Sequence, residues 1–250
     1  MGAWITGVLF VAGAIFIGYL PAQLMCRRFG GMQPADTRAV ASDVMARIGV
    51  MHGLILSLVF ASVHKNALEF DDGVIAEASL VAQIYFNAKR YGDAPVQAAS
   101  IDYLTANIEK DWPALSAKGE LSAEGWLTWR GLLEASLALT PVDRRQQLLA
   151  DRIASDVWQV ERLRQARGME AGRRMSGEFW LVSVVGLVLI AMLLFVHRIT
   201  ALHHGIMAMY SGFTGLTLFL IYDMSHPFSG AMTVGPTAFE MALASIRSGI

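Results

Sequence analysis

The chain has one cysteine, Cys26, in 250 residues. No internal disulfide can form, and no metal site can be built on cysteine pairs. Charge is scarce: Asp, Glu, Lys and Arg make up 16% of the chain, where soluble domains carry ~25%. The net charge of −1 gives no basic excess of the kind that holds nucleic acid. No P-loop, dinucleotide fingerprint, HExxH or nucleophile elbow is present, so neither an enzyme nor a cofactor is expected. No internal repeat at solenoid spacing occurs. What fills the space is apolar: 54% hydrophobic residues, 23 Gly and 13 Met, with a mean hydropathy of +0.45. Such a composition suits close-packed helices in lipid.

The most informative stretch is Ile48 to His64, IGVMHGLILSLVFASVH, which lacks Lys, Arg, Asp and Glu. A bilayer span needs ~17–25 such residues. On a helical wheel Gly49, Gly53, Ser57, Phe60 and His64 share one side, with His52, Leu56, Val59 and Val63 in an adjacent stripe. Small residues four apart let another helix approach closely. This segment is therefore read as the inner helix of a membrane assembly. His52 and His64 are either path-lining groups or neutral histidines bonded to a neighbouring helix or lying at the interface. Leu56, Val59 and Val63 are either a constriction that gates by dewetting or ordinary helix packing.

Three further spans are expected. The first runs from about Trp4 to Met25, with Gly7, Gly13 and Gly18 thinning it and Pro21 near its end. Met1 to Trp4 carry no basic residue, and Met25 before Cys26 is not small, so this segment is expected to be retained. Phe179 to Val196 is almost wholly aliphatic, and residues 205–222 carry Ala208, Gly212 and Gly215 on a close-packing side. The fold class is thus all-α, with four membrane helices and a helical extramembrane portion between the second and third.

The division by sequence is 1–65, 66–176, 177–225 and a tail, 226–250. A polar loop is expected over 27–47, with Asp36 as an N-cap, and a break is allowed at Gly73. Beyond it, Pro95 opens a helix reaching about Asp111, Pro113 breaks the pattern, and Ser122 caps a helix to Leu139. Asp143 starts a long helix to about Arg174, and a last helix follows Pro236. Glu77 is expected to pair with an arginine of that long helix, bracing a vestibule. Asp223, ahead of the Pro227-Phe228 turn, is expected to end the fourth span and fix the tail. His197, Arg198, His203 and His204 form a turn; an interfacial loop explains them better than a metal site, which needs convergent ligands. The loops 27–47 and 197–204 hold Arg27, Arg28, Arg38, Arg47 and Arg198, but Arg162, Arg164, Arg167, Arg173 and Arg174 crowd the opposite side. Orientation stays open.

Several stretches resemble the bestrophin-like membrane proteins, in their bacterial branch. These are GLILSLVFASVHKNA (Gly53 to Ala67) with the later Glu77-Ala78, IEKDWPAL (Ile108 to Leu115), RLRQARGMEAGRRM (Arg162 to Met175) and LFLIYDMSHPFSG (Leu218 to Gly230). The resemblance covers about residues 50–243. It implies a helical pentamer with a central path for small ions, anions first, lined by the second helix, and a bacterial inner-membrane location. The partners implied are the lipid bilayer, copies of the chain itself and small ions. Animal members are gated by calcium at an acidic run after the Pro-Phe-Gly turn; here Ala231-Met232-Thr233 follows, so calcium gating is not implied. The alternative is a non-conducting scaffold subunit of a larger membrane complex.

Overall fold

The computed structural model describes residues 2–29, 33–172, 175–197, 200–231 and 233–249. Met1, residues 30–32, Arg173, Arg174, Arg198 and Met232, all used in the reading above, lie outside them. Every element among the described residues is helical: α1 (Gly2–Phe29), α2 (Ala35–Tyr91), α3 (Ala94–Ala106), a π turn (Asn107–Asp111), α4 (Trp112–Lys118), α5 (Ala123–Leu137), α6 (Arg144–Gly172), α7 (Gly177–Leu193), a 3-10 turn (Leu194–Val196), α8 (Ala201–Met224) and α9 (Thr237–Ser248). The chain divides into two compact units, Met1–Lys65 with Arg174–Ser225 and Asn66–Arg173 with His226–Ile250. The boundary falls inside α2, and the tail counted separately by sequence packs within the second unit.

Among the described residues three helices, α1, α2 and α8, are long and apolar enough to cross a membrane. The α7 helix is 17 residues long, at the short end of the ~17–25 residues that span. The expected polar loop over 27–47 is corrected. Helix α1 runs to Phe29, with Arg27 and Arg28 in its last turn, and α2 begins at Ala35. Cations at the C-terminal end of α1 suit its dipole, and Asp36 does the same in the first turn of α2 rather than capping it. Gly73 makes no break. One glycine costs a helix ~1 kcal/mol, which the burial of Phe70, Val74 and Ala78 around it outweighs.

In the first unit α1 packs on α8 through small residues. A Cβ at Gly215 would stand 2.7 Å from the Phe10 carbonyl oxygen and 2.8 Å from Ala14 Cβ. Ser211 faces Gly18, and the Phe219 ring lies 3.1 Å from the Cβ position of Gly7. Phe10 also meets Tyr222, with ring centroids 5.3 Å apart, and Trp180, at 5.9 Å. The outward side of α1, Trp4, Val8, Leu9 and Phe16, is exposed.

The second unit has a continuous apolar core. Residues 66–91 of α2 contribute Phe70, Val74, Val81 and Ile84; α6 adds Ile153, Val157 and Val160; Leu104, Leu132, Phe228 and Phe239 close it. Asp93 caps α3 by accepting from Val96 N at 2.8 Å. Pro113 does not break the chain of helices. A proline interrupts the hydrogen-bond ladder and crowds the carbonyl four residues back, and the π turn accommodates it: Trp112 N–H bonds to Asn107 O, five residues earlier. Phe228 stands edge-on to Phe70 at 5.4 Å, and Val234 N–H donates to Pro227 O at 2.8 Å, so the turn after α8 is pinned to this core.

Candidate functional site

The membrane portion of α2 is positioned by contacts with α7 and α8. His52 is 3% exposed. Its Nε2 lies 3.0 Å from the Ser183 carbonyl oxygen of α7 and its Nδ1 lies 2.9 Å from the Tyr210 hydroxyl of α8. A carbonyl only accepts, so in the neutral imidazole the proton sits on Nε2 and Tyr210 donates to Nδ1. The ring lies over Gly186, where a Cβ would be 2.5 Å from His52 Cδ2. Leu56 and Val63 are buried with Phe179, Leu218 and Ile221, and Val59 is half-buried beside them. The stripe expected to line the path is therefore largely occupied by α7 and α8 of the same chain.

The other half of this segment is open. Val50, Met51, Gly53, Leu54, Ser57, Leu58, Ala61, Ser62 and His64 are exposed. A Cβ at Gly49 or Gly53 would meet nothing within 4 Å, and the Ser57 hydroxyl donates only to the Gly53 carbonyl of its own helix, at 2.8 Å. Phe60 and His64 stack with ring centroids 6.1 Å apart. Of the residues singled out for close packing, Gly215 sits tightly on α1, Gly212 has Ile15 at ordinary contact, 3.6 Å, and Gly49 and Gly53 have no neighbour within the unit.

At the ends of these helices, His203 shares a capping box with Thr200, His204 stacks on Tyr19 at 5.0 Å, and His197 Nε2 lies 3.2 Å from Ser42 Oγ. His203 and His204 thus lie in α8 itself, not in a turn before it. Among the described residues no group of three or more His, Cys, Asp or Glu is arranged to hold a metal.

The second unit contains a buried polar cluster. Arg167 of α6 meets Glu77 of α2 side-on: Nε donates to Oε2 at 3.1 Å and Nη2 to Oε1 at 3.0 Å. The expected arginine partner of Glu77 is this one. The same Nη2 reaches Asn107 Oδ1, and Asp111 Oδ2 at 3.3 Å. Tyr103 donates to Glu77 Oε1 at 2.5 Å. Arg164 lies 3.4 Å from Asp111 Oδ2, and Ser122 donates to Asp111 Oδ1 through both N–H, at 2.9 Å, and Oγ, at 2.5 Å. The same Ser122 Oγ accepts from Gly125 N and caps α5. Two acids and two arginines, all under 5% exposed, therefore balance in charge. The π turn lies between Tyr103 and Asp111, a spacing that carries Asn107 and Asp111 toward Arg167.

Burial opposes charge on Arg167, but Glu77, Tyr103 and Asp111 outweigh it and hold the guanidinium pKa above its ordinary value. Burial, reinforced by the Glu77 carboxylate, pushes the Tyr103 phenol well up. A raised phenol pKa means the unfolded chain ionises first, so stability is lost as pH climbs past the free value of ~10. Tyr103→Phe is expected to flatten that alkaline loss in melting curves taken between neutral pH and ~11. At neutral pH it should cost about 1.5–3 kcal/mol, the size of a hydrogen bond to a charged group.

Sequence reasoning named Glu77, Asp223, Pro227 and Phe228 but not Tyr103, Asn107 or Asp111 as its partners. The signal was available: these three polar residues recur every fourth position on an otherwise apolar face. Asp223 is buried in the last turn of α8.

The family described as Bestrophin-like domain matches residues 13–239. The chain belongs to the bestrophin-like family. That match takes in the open face of α2, the Glu77–Arg167 cluster and the Pro227-Phe228 turn of this bestrophin-like protein. No curated protein and no solved structure matches it.

Proposed function

We propose that this bestrophin-like protein is one subunit of a homo-oligomeric ion channel, most readily a pentamer, that conducts small anions through a path lined by α2. The observation that carries the reading is the half of α2 from Val50 to His64 that is charge-free and has no cover within its unit. One edge of that half, Gly53, Ser57, Ala61 and His64, is small or polar; the other, Leu54, Leu58 and Met51, is aliphatic. A helix with these two edges suits a ring in which one faces copies and ions and the other faces lipid. Because α7 and α8 take up His52, Leu56 and Val63, the path surface is assigned to the stripe beside them, with His52 holding α2 at the correct rotation. Helix α7 with its 3-10 turn completes a fourth span, and the second unit forms the vestibule. The bacterial inner membrane is the location that this reading carries.

The test is flux through liposomes containing the purified oligomer. Chloride flux above protein-free liposomes is expected. Ser57→Trp should cut it about tenfold by narrowing the path, whereas Leu58→Trp, on the lipid edge, should leave it intact. Intact oligomers without flux, or a stoichiometric foreign subunit on mild extraction, would end the channel reading.

A further inference from the structure

The first turns of α2 and the end of α7 enclose a groove that none of the preceding function uses. Val40, Ala41 and Val44 form one wall, Leu193 and Val196 the other, and Asp36 and Thr37 stand at its mouth. Its volume is about 500 Å³, within the ~300–1,000 Å³ of sites that take a small molecule. All of it lies within the first unit. Val40 is 64% exposed, an apolar side chain with no cover from its own chain.

The mouth has its own chemistry. Asp36 is exposed and has no ion-pair partner among the described residues. Arg38, two positions on, projects from another side of the helix, and Arg47 is already bound to Asp43 at 2.9 Å. The first backbone bond of α2 is Arg38 N–H to Pro34 O. The N–H groups of Ala35, Asp36 and Thr37 therefore point out of the helix end, where an anion is favoured. Among the described residues, an apolar slot, a carboxylate without an ion-pair partner and first-turn N–H groups without a helical partner thus meet at one place.

We propose that this groove binds a bilayer phospholipid with a primary-amine headgroup. One acyl chain fills the slot between Val40, Val44, Leu193 and Val196. The phosphate takes the free N–H groups of the α2 first turn, and the ammonium pairs with Asp36. A phospholipid with an anionic headgroup places negative charge beside Asp36, and a quaternary amine offers no N–H to the carboxylate. Both bind less tightly.

Native mass spectrometry of the delipidated full chain in detergent tests this, with phosphatidylethanolamine, phosphatidylcholine and phosphatidylglycerol added in turn. A discrete phosphatidylethanolamine adduct is expected, favoured about threefold over the other two, the scale of one surface ion pair. Asp36→Asn, a surface change, should erase the preference. Val44→Trp should erase the adduct. Equal adducts of all three lipids, unchanged in Asp36→Asn, would overturn the assignment. So would a Val44→Trp variant that keeps its lipid but changes subunit number, which gives the groove to a second copy. None of these readouts depends on ion flux.

Discussion

Arg167→Met is expected to destabilise the second unit more than any other single side-chain change. Arg167 is 2% exposed and binds Glu77, which is fully buried, and Asp111, also fully buried. Its removal leaves Glu77 with only the Tyr103 hydroxyl as a donor. Breaking a buried ion pair by deleting one partner costs about 3–5 kcal/mol, because the other charge stays buried without compensation. Against a domain stability of about 5–15 kcal/mol that is a large fraction. The packing of the guanidinium over Trp112, 4.9 Å from the ring centroid, is lost as well. The measurement is thermal unfolding of the purified full chain, followed by helix signal. The informative comparison is the double variant Glu77→Gln, Arg167→Met. It removes both charges, while Asp111 keeps Arg164 and Ser122. Most of the stability should return. A double variant as unstable as the sum of its singles would show that the two charges do not act as a pair.

Gly215→Ala and Gly212→Ala add the same methyl group three residues apart and are expected to move stability in opposite directions. In a helix, Gly→Ala is favourable by about 1 kcal/mol where nothing obstructs the Cβ. At Gly212 the nearest atom is Ile15 Cδ1 at 3.6 Å, an ordinary contact, so that gain should appear. At Gly215 the Cβ would meet the Phe10 carbonyl oxygen at 2.7 Å and Val11 Cα at 2.9 Å. Both are backbone atoms and cannot rotate away. The helices α1 and α8 must separate, at an overpacking cost of about 1–3 kcal/mol or more. Melting temperatures of the two variants in the same detergent decide the matter. Equal stabilisation by both would mean that α1 does not lie against Gly215.

Much of the architecture was legible in the sequence because it follows from solvent and backbone alone. A run free of charge over Ile48 to His64 has one comfortable environment; Ser122 and Asp143 mark helix starts through local hydrogen bonding, and Pro95 and Pro236 through a fixed φ and a donor the first turn does not need. Asp143 Oδ1 does accept from Gln146 N, at 2.7 Å. The boundaries that failed did so where local signals are weak. Residues 35–47 mix charges with Val40 and Val44, which reads as a polar connector until the helix that carries them is seen. Gly73 and Pro113 are breakers by propensity, yet buried neighbours and a widened turn absorb them.

The sequence by itself determined the medium and the class: low charge, one cysteine and long apolar runs leave a helical membrane protein, and the spaced motifs point to its family. Only the tertiary structure decided which side of α2 is free. Two adjacent stripes of one helix are both free of Asp, Glu, Lys and Arg and each carries a histidine, and nothing in their composition says which of them α7 and α8 will cover. That choice depends on contacts across 131 and 158 residues of chain, from His52 to Ser183 and Tyr210. The pairing of Glu77 with Arg167, rather than with another arginine of α6, was fixed the same way: by where the π turn places Asn107 and Asp111.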